Sequence, residues 1–112
     1  MKILLTKSFS FSSSYEQGSK VLGHNYELEV TVDALDESSE KILEAKVQRL
    51  VIDRIHSRDL SLQTDFLPKD VPVTDGLLLE TFWRALSPAV GPAVLRRLSL
   101  KRGKGHRTCL EP

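Results

Sequence analysis

Cysteine, methionine and tryptophan each occur once in this 112-residue chain, and aromatic residues make up only 6% of it. A lone thiol, Cys109, cannot close an internal disulfide, so packing must hold the fold and a reducing, cytoplasmic setting is expected. Long apolar runs are missing too. The opening Met1-Lys2-Ile3-Leu4-Leu5-Thr6-Lys7 is too brief for a signal peptide, and no stretch approaches a membrane span, so no membrane partner is expected. Neither sign of charge dominates: 16 basic against 15 acidic residues leave a net +1. That balance gives no general attraction to nucleic acid. Arg96, Arg97, Lys101, Arg102, Lys104 and Arg107 do gather near the C-terminus. No aromatics interleave with them, as a single-strand binder requires, so they read as a solvated basic edge. What is present, 40% hydrophobic and 28% charged residues without repeats or linker, suits one globular domain over residues 1–112.

The patterning predicts a strand over residues 2–15, with Ile3, Leu5, Phe9, Phe11 and Tyr15 on one face and serines on the other. From Leu22 to Ala34 the alternation is cleaner, with Leu22, His24, Tyr26, Leu28, Val30 and Val32 marking the buried face. Glu16-Gln17-Gly18-Ser19-Lys20 connects the two strands as a hairpin. A helix is expected from about Ser38, as N-cap, to His56, with Leu43, Val47, Leu50, Val51, Arg54 and Ile55 on one stripe. Residues 57–73 read as loop. A second helix starts with Thr74 as N-cap and Asp75 set against the helix dipole, and ends before Pro88. A strand from Ala93 to Arg102, a Gly103-Lys104-Gly105 turn and a return strand from His106 to Leu110 complete the chain. The order β-β-α-α-β-β gives an α+β fold, an antiparallel four-stranded sheet with two helices on one face. Its outer strands need blunting or pairing with other subunits, so a homo-oligomer closing into a barrel is expected.

That order and three local sequences resemble the 6-pyruvoyl-tetrahydropterin and 6-carboxytetrahydropterin synthase family. Lys7-Ser8-Phe9-Ser10-Phe11-Ser12-Ser13-Ser14-Tyr15 looks like the family's first strand ending in Ala-Ala-His. Leu22-Gly23-His24-Asn25-Tyr26-Glu27-Leu28 is close to its His-Gly-His-x-Tyr strand, the most specific of the three. Val71-Pro72-Val73-Thr74-Asp75 matches its Pro-Thr-x-Glu helix start with one residue of slippage. The resemblance implies the tunnelling fold, a barrel-forming oligomer with sites between subunits, and zinc-dependent chemistry on dihydroneopterin triphosphate.

The resemblance also shows where this chain departs. Zinc needs neutral imidazoles and an open position, yet the family's three ligand positions here read Tyr15, Leu22 and His24, so neither metal nor other cofactor is expected unless a zinc site has been rebuilt. The family's general-base cysteine falls at Gly18, and its Asp-His pair at His56-Ser57, where a relay could be rebuilt from His56 and Asp59. The glutamate that anchors the pterin aligns with Arg102, a group with donors only. The short strand that the family carries before its first helix is missing after Asp36.

Each candidate has a plain structural alternative. His24 suits a buried neutral histidine bonded to backbone or Tyr15, His56 a surface residue at a helix end, His106 an exposed residue after a turn, and Cys109 a packed or surface thiol. The functional assignment keeps His56 and Asp59 as candidate catalytic residues and Tyr15, His24, Arg102 and His106 as candidate ligand-binding residues. Three functions stay open: a catalytically degenerate homologue acting through assembly or a small heterocyclic ligand between subunits, a lyase or synthase with a rebuilt site, and an enzyme completed by a partner subunit.

Overall fold

The computed structural model describes residues 3–33, 38–60, 65–68, 71–90 and 94–112. Two 14-residue strands, β1 (Leu4–Gln17) and β2 (Lys20–Asp33), form a hairpin paired without interruption from Leu4↔Asp33 to Gln17↔Lys20. The connection is tighter than the expected five residues. Only Gly18 and Ser19 turn the chain, and Gly18 sits at φ 64, a left-handed conformation that glycine adopts without a Cβ clash. Strand β4 (Val94–Arg102) pairs antiparallel with β2, but only from Tyr26↔Arg102 to Asp33↔Val94, with a bulge between Thr31 and Val32. The outer part of the hairpin therefore projects past the rest of the sheet, and the molecule extends 50 × 30 × 23 Å. Strand β5 (Arg107–Leu110) returns along β4. Ala34 and Ala93, expected at strand ends, and the Asp36 approach to the first helix lie outside the described residues.

A fifth strand joins the four expected. In the segment read as loop, β3 (Arg58–Asp59) runs parallel to β1 at Ser13 and Ser14, giving the order β3-β1-β2-β4-β5. Two residues carry no readable alternation. The strand exists because the turn before it is fastened to β1, with the Ser57 N–H donating to the Ser12 carbonyl at 2.6 Å.

The first helical region holds its apolar stripe through a change of geometry. α1 (Ser38–Val47) passes into a π-helical stretch, Gln48–Ile52, and ends in α2 (Asp53–Ile55). Widening the turn brings Ile52 into the core beside Val51, while Leu50 and Arg54 of the expected stripe stay half-buried. Ser38 is itself the first helical residue rather than a cap. α3 (Asp75–Leu86) starts as expected, with Thr74 Oγ1 accepting from the Leu77 N–H at 3.1 Å. The helices supply Leu43, Val47, Val51, Ile55, Leu78, Phe82 and Leu86 to a core completed by Phe11, Leu28, Val30, Leu98 and Leu100 of the sheet. Phe11 joins these layers, stacked on Tyr26 at 4.9 Å and edge-on to Phe82 at 6.1 Å. Phe82 is thus a core residue, with Trp83 half-buried against it.

Candidate functional site

Period-two geometry puts Tyr15, Leu22, His24 and Tyr26 on the helix-facing side of the hairpin. Tyr15 and Leu22 are direct cross-strand partners, and the Tyr15 hydroxyl lies 3.5 Å from His24 Nε2. The next ring along β2 is Tyr26, 5.6 Å from His24 and opposite Arg102 in the register with β4. There the sheet meets the first turn of α3. Asp75, only 12% exposed at its side chain, accepts from Arg102 Nε and from His106 Nε2 on the same oxygen, Oδ2, each at 2.9 Å. The carboxylate as acceptor requires the His106 proton on Nε2. One aspartate thereby clasps both ends of the Gly103–Gly105 turn to the helix.

Tyr26 occupies the middle of this cluster and its hydroxyl has no hydrogen-bond partner among the described residues, although the residue is only 2% exposed. Burial pushes its ionisation well above the ordinary tyrosine range, with Tyr15 and Asp75 adding to the shift and Arg102 opposing it. The hydroxyl is therefore held as a neutral donor. Arg102 is raised in the same direction as any cation beside a carboxylate, chiefly through its bond to Asp75.

Tyr15, His24, Arg102 and His106 thus converge through two residues that sequence reasoning left out of the site, Tyr26 and Asp75. Tyr26 reads from the alternation as plain core, and Asp75 as a helix-dipole residue. The signal for Asp75 was the pair of cationic or protonatable residues bracketing the Gly-Lys-Gly turn, which need an acidic partner.

His56 and Asp59 lie elsewhere. His56 Nδ1 accepts from the Ser12 N–H at 3.1 Å, which places its proton on Nε2. His56 borders a cavity of ≈ 370 Å³ on the helix-free face of the sheet, with Ser10, Ser12, Asn25, Glu27 and Lys101. Through Nδ1, His56 fastens the edge of β1, and Asp59 lies on the adjacent β3. The backbone at Ser57, φ 59, turns left-handed at that fastening. Cys109 is exposed, its sulfur 3.7 Å from Ser99 Oγ.

The whole chain superposes on the structure of Caenorhabditis elegans 6-pyruvoyl tetrahydropterin synthase with a TM-score of 0.74, covering 100% of this chain and 96% of that one at 16% identity. The fold is the tunnelling fold. No protein-family model matches the sequence, and no curated protein matches it either. On the tunnelling-fold hairpin the positions Tyr15, Leu22 and His24 are neighbours on one face. Their donor set does not fit zinc: one imidazole, a phenol that binds well only when ionised, and an alkyl group. No group of three or more histidine, cysteine, aspartate or glutamate side chains able to hold a metal occurs among the described residues.

Proposed function

We propose that this chain is a divergent tunnelling-fold protein that has given up the zinc-dependent reaction of the pterin synthases and acts as a homo-oligomer binding a small heterocyclic, pterin-like ligand between subunits. The observation that carries this is the Tyr15–His24 contact. It stands where the resemblance calls for a three-imidazole site, with Leu22 completing the trio. Oligomerisation is supported by the projecting hairpin. Residues 20–25 of β2 have no described strand on their far side, and Val21 among them is 64% exposed. A free edge of that length invites pairing with another chain, and closure into a barrel removes it.

The Asp75–His106 pair favours a second function, a lyase or synthase acting on a pterin or related phosphorylated heterocycle with a rebuilt acid–base group. The carboxylate orients the imidazole and leaves Nδ1 free to exchange a proton. Metal analysis of the purified protein, run alongside sedimentation equilibrium, tests the first of these. The proposal expects an oligomer with zinc well below one ion per subunit; stoichiometric zinc or a monomer at working concentration contradicts it.

A further inference from the structure

We infer that the cluster beneath the start of α3 is an oxyanion site, taking a carboxylate or phosphate group of the ligand on the Tyr26 hydroxyl and the Arg102 guanidinium. This rests on the ligand-binding reading above and names the chemistry the ligand must carry. A buried hydroxyl without a partner is unfavourable by about 1–3 kcal/mol, and Tyr26 keeps one at 2% exposure. Held neutral by burial, it can donate to an incoming oxygen. Arg102, a third exposed at its side chain, commits only Nε, to Asp75, among the described residues. Its terminal nitrogens remain for a forked bond to an oxyanion.

The local charge balance points the same way. Asp75 is the single carboxylate of the cluster and is already clasped by Arg102 and His106. Lys104, exposed in the intervening turn, has no ion pair among the described residues. One anion thus answers the cation Arg102, with His106 adding a second when protonated and Lys104 a further positive charge in the turn between them. The N-terminal end of α3 contributes its positive dipole to the same place. Donors prevail over acceptors here, so the group that fits is an acceptor-rich anion rather than an amino or ring N–H edge.

The test is binding of inorganic phosphate, and separately of acetate, followed by two-dimensional amide NMR of the intact protein at constant ionic strength. The expected result is saturable shifts at Tyr26, Arg102 and the Gly103–Gly105 turn. Affinity should fall about tenfold or more in Arg102→Gln, as loss of a charge-assisted bond implies, and should also fall in Tyr26→Phe, a variant that removes an unsatisfied group and keeps the fold. Phosphate binding without acetate binding assigns a phosphorylated ligand, and binding of both assigns a carboxylate-sized pocket. Absence of shifts for both anions, or shifts unchanged in both variants, overturns the site and leaves the hydroxyl to water. Zinc content is untouched by this outcome, so failure here and failure of the proposed function are distinguishable.

Discussion

Tyr26 combines two roles that usually exclude each other, a stacking partner for Phe11 in the core and the bearer of an unbonded hydroxyl. Tyr26→Phe keeps the ring and deletes the orphan oxygen, so the free protein should gain about 1 kcal/mol; urea unfolding at neutral pH measures this. The same pair of proteins should diverge in alkali. Because burial raises the folded hydroxyl's ionisation above the ordinary tyrosine value of 10.0, the unfolded chain loses its proton first as pH rises past 10. The folded state then binds more protons, so stability is intact below pH 10 and declines above it, by up to about 1.4 kcal/mol per pH unit from this group. Tyr26→Phe removes that component, and the difference between the two alkaline unfolding profiles reports it. Parallel profiles would mean that the hydroxyl ionises as freely folded as unfolded.

Among the elements, α3 carries the site most directly, since its first turn presents Asp75 and its cap fixes that turn. Thr74→Ala should destabilise the protein by about 1 kcal/mol, and the resonances of Arg102 and His106 should move with it, because their common partner Asp75 follows the capped turn. A stability loss with those resonances unmoved would separate cap from clasp. At the opposite edge, Ser13 Oγ donates to the Ile55 carbonyl at 2.7 Å in a buried position. Ser13→Ala leaves that carbonyl without its side-chain donor, which is expected to destabilise by about 1–2 kcal/mol and to speed amide exchange at Ser57, whose N–H is bonded next door.

These elements differ in how legible they were. The long hairpin shows in the sequence because a strand repeats every two residues, and Leu22 through Val32 keep that period without a break. The cap at Thr74 shows because a hydroxyl before an apolar helix has one common use. β3 does not show, since two residues cannot display a period and its pairing depends on His56 and Ser57 reaching Ser12, distant in the chain. The π-helical stretch is equally silent: Leu50, Val51 and Ile52 are apolar in sequence, and only packing decides which of them turns inward. For the site, four positions could be picked out as chemistry-bearing, but Tyr26 and Asp75, which join them, already had sufficient structural explanations.

At the scale of the whole molecule, the tunnelling fold survives with little of the sequence that accompanies it in its structural neighbour, at 16% identity over the full chain. Core geometry explains how. The alternation of β2 and the aromatic joint of Phe11, Tyr26 and Phe82 specify the layers, while residues such as Tyr15 and Leu22 at the outer end of the hairpin are free to change without unmaking them. The projecting hairpin is the feature least able to stand alone. Charging its free edge with Val21→Lys should weaken self-association in sedimentation while leaving the circular dichroism of the fold unchanged. On the polar, helix-free side of the sheet, Ser12 Oγ donates to Asn25 Oδ1 at 2.6 Å across the same hairpin.

Calorimetric zinc titration of the native protein beside a Tyr15→His, Leu22→His double variant bears most directly on the proposed loss of metal chemistry. The double variant places three imidazoles on adjacent positions of one hairpin face, and tight one-to-one binding is expected there, with none in the native chain. Tight binding by the native chain would contradict the account, as would a double variant that folds yet takes up no ion.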